Sequence, residues 1–146
     1  MPYQAHELRG SYQGTDYLFL WVGENLGSRD QTDTVLATYQ RTADRIHKAG
    51  GRYVLVLVPS KYRVMYPLCT WPDGSTLRDT DQHLSPLRDG LAKWANDKGL
   101  PCLDLTLPMQ KAAQAGNVPY FAQDTHPNGA GHQLMTEQLA TFLKSL

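Results

Sequence analysis

The sequence is poor in cysteine, in net charge and in long apolar runs. Its 146 residues hold two cysteines, Cys69 and Cys102, without CxxC spacing. That argues against a zinc or thioredoxin-like site. The two could pair in an oxidising compartment, or stay free with Cys102 buried in a strand. Lys+Arg and Asp+Glu each number 14, so the formal charge is zero. No basic field exists to capture nucleic acid or an anionic membrane. No apolar run nears the ~18 residues of a membrane span. The opening Met-Pro-Tyr-Gln-Ala-His-Glu does not read as a signal peptide.

What is present is an alternation of short apolar runs with helical periodicity. Tyr17–Val22, Tyr53–Val58 and Pro101–Leu105 read as buried strands. Between them, Val35, Leu36, Tyr39, Ala43 and Ile46 mark one helical face, and Leu84, Leu87, Leu91, Trp94 and Ala95 mark another. A short helix is expected from Thr106 and Pro108 to Gly116, and a last one carries Leu134, Met135, Leu139, Phe142, Leu143 and Leu146. Residues 61–82 hold prolines and no period, and read as a long excursion over the site. Residues 1–15 are polar with no core face, a poorly defined N-terminal segment. The pattern predicts one α/β domain over residues 1–146. Its architecture is a flavodoxin-like, three-layer parallel sheet with helices on both faces. With three strands the sheet is incomplete. Chemistry in such sheets gathers at the carboxyl ends of the strands.

The most informative stretch is Asp124-Thr125-His126-Pro127-Asn128-Gly129-Ala130-Gly131-His132. A residue before proline is biased to extended backbone. In extended backbone, residues i and i+2 point the same way. Asp124 can therefore lie beside the His126 imidazole, fixing its tautomer and stabilising its protonated form. The alternative is that Asp124 merely caps the last helix. His132 reads as a packing residue. A metal reading would join Asp124, His126 and His132, but HExxH-type spacing is absent. Gly23 and Asn25 follow the first strand and could hold an oxyanion, or simply turn the chain. Ser60 and Lys61 follow the second strand. Ser60 is a possible nucleophile with Lys61 assisting, although no G-x-S-x-G elbow surrounds it; Ser28 has still less support. Trp21, Tyr62, Tyr66 and Trp71 cluster near strand ends. Trp21 reads as core, while Lys61, Tyr66 and Trp71 are candidates for a substrate wall, since sugars stack on aromatic faces.

Taken together, three stretches resemble the SGNH (GDSL-type) hydrolase superfamily. Val22-Gly23-Glu24-Asn25-Leu26 is similar to the block supplying the oxyanion asparagine. Val58-Pro59-Ser60-Lys61-Tyr62-Arg63-Val64-Met65-Tyr66 resembles a Pro-Ser/Thr-Lys segment of members related to alginate O-acetylation. Asp124 to His132 resembles the C-terminal catalytic block, in the shorter D-x-H form of those same relatives. The resemblance implies acyl transfer at an ester. His126 would be base and then acid, Asp124 its orienting carboxylate, and Gly23 and Asn25 the oxyanion site. It implies no metal or organic cofactor. The implied substrate is a small-molecule or polysaccharide acyl ester, plausibly O-acetyl on carbohydrate, and the implied location is periplasmic or secreted. One departure matters. The Gly-Asp-Ser block is missing upstream, and no serine-bearing strand follows the D-x-H block. The expectation is a site completed by another segment or chain. The alternative is a catalytically incomplete domain that binds carbohydrate.

Overall fold

The computed structural model describes residues 6–21, 29–73 and 81–146. The chain divides into two compact units. The first comprises residues 1–23, 58–78 and 104–146; the second comprises 24–57 and 79–103.

The first unit opens on a β-hairpin, β1 (His6–Tyr12) and β2 (Thr15–Trp21), paired antiparallel with Tyr12 opposite Thr15. Gln13 and Gly14 turn the chain with φ of 49° and 75°. Both values lie in the left-handed region that a two-residue hairpin turn of the I′ kind requires. Within the segment read as poorly defined, residues 6–12 are thus a strand. A polar strand can form because β2 supplies the apolar side chains. Within β2, Tyr17 and Phe19 alternate inward and are buried. The first apolar run is thus half of a hairpin, and not a strand with parallel neighbours on both sides.

The hairpin has both flanks occupied. On β1, Ser11 and Thr70 exchange two backbone hydrogen bonds of 2.9 and 2.8 Å. On β2, Leu18 N–H donates to Ala122 O at 2.8 Å. Neither edge is therefore left open there to pair with another chain.

The excursion after the second apolar run contains a short helix, α2 (Lys61–Met65), started by Ser60. Tyr62, Val64 and Met65 are buried. They pack with α4 (Thr106–Gln114), whose Met109 and Ala113 are fully buried. The last helix, α5 (Gly129–Lys144), packs on α4.

In the second unit, α1 (Arg29–Lys48) and α3 (Asp81–Asp97) pack together. A small parallel sheet joins β3 (Leu55–Leu57) to β4 (Cys102–Asp104). Leu55, Leu57, Leu91 and Ala95 form the core, covered by Val35, Leu36, Tyr39 and Trp94. Val35, Leu36, Tyr39, Leu91, Trp94 and Ala95, which the helical periods name, lie on these faces, while the side chains of Leu84 and Leu87 fall outside those described. Cys69 and Cys102 are both free thiols.

Candidate active site

The site lies in the first unit, on the loop between α4 and α5. The loop closes on itself. Tyr120 and Pro127 form an isolated antiparallel bridge, and Phe121 N–H donates to His126 O at 3.2 Å. Asn128 holds its base. The Asn128 amide Nδ2 donates to Val118 O (2.8 Å) and Tyr120 O (3.0 Å). Its backbone N–H donates to Pro119 O (3.1 Å). Its Oδ1 accepts from Gly131 N–H (3.0 Å), which caps α5. The α5 cap is therefore Asn128, and the alternative role of Asp124 as that cap falls away. Beneath the loop, the buried Tyr120 hydroxyl donates to Pro59 O at 2.6 Å. Burial pushes that phenol's pKa upward.

On this closed loop Asp124 and His126 meet. Asp124 Oδ1 lies 2.5 Å from His126 Nδ1 and accepts the His126 backbone N–H at 2.7 Å. The chain bends from Asp124 to His126 instead of running extended, and the carboxylate accepts the N–H two residues on in an Asx turn, which brings the imidazole beside it. Those two hydrogen bonds, backbone first, hold the Asp124 carboxyl below its ordinary value, with smaller help from the His126 and Lys61 charges. A carboxylate at Nδ1 leaves Nε2 as the free acceptor of a neutral ring. Both side chains are exposed, His126 at 79% and Asp124 at 54%, so Nε2 is open to a reacting group.

Lys61 is where the structure departs furthest from expectation. As the first residue of α2 it is 3% exposed. Its Nζ donates to Leu18 O (2.6 Å), Ala122 O (2.8 Å) and Asp124 O (3.1 Å). It also sits 5.3 Å from the Tyr17 ring centroid and 5.1 Å from that of Phe19. Burial lowers its pKa to about 8, against which the charges of Cys69 and Asp124 act. Three carbonyls occupy the three ammonium donors. Its ammonium is thus engaged by backbone carbonyls and makes no bond to Ser60.

Ser60 itself is exposed, and its Oγ accepts from Arg63 N–H at 3.2 Å. That is a helix cap, and no hydrogen bond joins it to His126 among the described residues. Tyr66 and Trp71 are half-buried. The Trp71 indole N–H donates to Tyr66 O at 3.1 Å. Its ring packs 5.0 Å from Phe19, 5.6 Å from Tyr66 and 6.1 Å from Tyr62. These rings pack on one another. Gly23, Asn25 and Ser28 lie outside the described residues. His132 is exposed on α5, and among the described residues no three His, Cys, Asp or Glu side chains gather as metal ligands. A cavity of about 120 Å³ lies beside the base loop, lined by Phe19, Ser60, Lys61, Tyr62 and Thr125.

Sequence reasoning missed the anchoring roles of Lys61 and Asn128. For Lys61 the available signal was a lysine set among apolar and aromatic neighbours. For Asn128 it was the three-residue interval to Gly131, which fits a cap.

The model of the GDSL-like lipase/acylhydrolase family matches residues 3–134. The chain belongs to this family. No curated protein matches it. Among solved structures, this acylhydrolase-family chain is similar to the O-acetyltransferase domain of Pseudomonas putida AlgJ, with a TM-score of 0.67 and 21% identity. The likeness covers 97% of this chain and 48% of that one, so the GDSL-like chain spans about half the length of its structural neighbour. At that identity the likeness speaks for the fold.

Proposed function

We propose that this domain is an SGNH-type esterase or acyltransferase that moves a short acyl group, with O-acetyl on carbohydrate as the substrate class. The observation that carries the reading is the Asp124–His126 pair, held at 2.5 Å on a closed, exposed loop. Family membership and the O-acetyltransferase neighbour agree with it. The cavity beside Thr125 has room for a short acyl chain.

In this reading His126 Nε2 takes the proton of a serine hydroxyl as that oxygen attacks the ester carbonyl. Asp124 stabilises the imidazolium so formed. Asn25 and a backbone N–H near Gly23 hold the oxyanion of the tetrahedral intermediate. His126 then returns the proton to the leaving alcohol, and the acyl-serine passes to water or to a second hydroxyl. The serine comes from a segment or chain beyond these 146 residues. Ser60 caps α2 and has no hydrogen bond to His126 among the described residues, which supports that assignment.

Two measurements on the native protein test this. It should hydrolyse p-nitrophenyl acetate, and His126→Ala should abolish turnover. A fluorophosphonate probe should label one serine, located by peptide mass spectrometry. Turnover that survives His126→Ala removes the catalytic role of the pair. Labelling of Ser60 removes the external nucleophile.

A further inference from the structure

We infer that Lys61 is a positioning residue for the base: its buried ammonium clamps the Asp124–His126 loop to β2 and sets the direction of the Asp124 carboxylate. The inference deepens the proposed function and rests on it for its catalytic consequence. Its structural content stands on the three bonds of Lys61 alone.

The three acceptors are not equivalent. Ala122 O also receives the Leu18 N–H, so that end of the loop keeps a bond to β2 without the lysine. Asp124 O is different, since among the described residues Lys61 Nζ is its one donor. Removing the ammonium would leave the loop hinged at Ala122 and free at Asp124. The orientation of the Asp124 carbonyl is tied to the backbone torsion at Asp124. That torsion also decides whether Oδ1 can accept both the His126 N–H and ring Nδ1. The second contribution is electrostatic. The Lys61 charge helps to hold the Asp124 carboxyl ionised, and Asp124 in turn favours the charged lysine. Asp124 thus meets one cation from its backbone side and the imidazole at its carboxylate.

The site is built for a lysine. Ser60 starts α2 so that Lys61 is its first residue. Tyr17 and Phe19 give the charge aromatic surroundings within 5.3 Å. An arginine would bring a larger, planar head where a compact three-donor group fits.

The test uses Lys61→Met, which keeps a long unbranched chain without the charge. Amide hydrogen exchange is read residue by residue. We expect at least tenfold faster exchange at the His126 and Phe121 N–H groups, with less than twofold change in α4. On p-nitrophenyl acetate, kcat should fall at least tenfold while KM stays within twofold. Uniformly faster exchange across the first unit would make Lys61 a general packing residue and overturn the inference. Unchanged exchange at His126 and Phe121 would do the same. A wild type that lacks esterase activity while the exchange pattern appears would sink the proposed function and leave the clamp standing. If Lys61→Met does not fold, the wild type decides by NMR. The Lys61 15Nζ resonance should follow the protonation of Asp124 as pH is lowered, and a resonance indifferent to it overturns the inference.

Discussion

Two glycines in the first turn of α5 should respond in opposite directions to the same substitution. In a helix interior, Gly→Ala ordinarily stabilises by ~0.5–1 kcal/mol, because glycine loses more backbone freedom on folding. At Gly129 a Cβ would meet nothing within 4 Å, so the ordinary sign applies. At Gly131 a Cβ would lie 2.2 Å from Pro119 O, 3.1 Å from Pro119 C and 3.2 Å from the Pro127 Cβ. Ordinary van der Waals contact begins near 3.4 Å, so backbone must move by about 1 Å. The atom in the way is backbone and cannot swing aside. Moving α5 off Pro119 stretches the Asn128 bonds to Pro119, Val118 and Tyr120, each worth ~1 kcal/mol. Overpacking of this kind costs ~1–3 kcal/mol by itself. We expect Gly131→Ala to destabilise by ~3 kcal/mol and Gly129→Ala to stabilise by ~0.5 kcal/mol. Urea denaturation of the two variants beside the wild type measures both. The shift at Pro127 also reaches His126, so Gly131→Ala should lose activity even where it stays folded. If Gly131→Ala proves as stable as Gly129→Ala, the close approach of α5 to the base loop is refuted.

Three further outcomes follow from the same geometry. Asn128→Ala removes the α5 cap and both carbonyl contacts of its amide, and should cost ~2–4 kcal/mol in thermal or urea unfolding; a loss under ~0.5 kcal/mol would mean the loop base is held otherwise. Asp124→Asn should lower kcat by roughly 10³–10⁴-fold, since the amide cannot stabilise the imidazolium. Because the folded Asp124 carboxyl is held below its ordinary value of 3.8, its contribution to stability is complete above that pH and is lost as pH falls through the depressed folded value. The stability difference between wild type and Asp124→Asn should therefore shrink only in strong acid, and a difference that already collapses near pH 6 contradicts the pairing. For Lys61 the sign is the same, in a higher window, although there it is the charged form that folding disfavours. Burial lowers it from 10.5 to about 8, so between those values the unfolded chain holds the extra proton. Wild-type stability relative to Lys61→Met should rise with pH across that window, by ~3 kcal/mol at most; a flat difference would show that the three carbonyls keep the lysine's pKa ordinary, and a falling one that they raise it.

Much of the candidate site was legible because its chemistry is local. Asp124 and His126 are two residues apart, and an aspartate readily bonds the N–H two residues on, which brings the two side chains together although the segment bends where extended backbone was expected. Asn128, in reach of Gly131, sits within a single helical turn. The helical faces of α1 and α3 were equally readable, because a 3.6-residue period states which side is covered. Lys61 was not legible. Its partners lie 43, 61 and 63 residues away in sequence, and no local rule says that one ammonium meets three such carbonyls. The packing of the aromatic excursion was hidden for a similar reason. Trp71 and Tyr66 look like free ring faces until Phe19 from the hairpin is laid against Trp71.

By itself, then, the sequence determined the α/β pattern, the helical faces and the Asp124–His126 pair, because periodicity and nearest-neighbour torsions act over a few residues. Only the tertiary structure decided that a polar N-terminal segment becomes β1, that Ser60 caps a helix, and that Lys61 anchors the base loop. Strand pairing and buried-charge satisfaction depend on groups distant in the chain. A buried ammonium must find its acceptors wherever folding has left them.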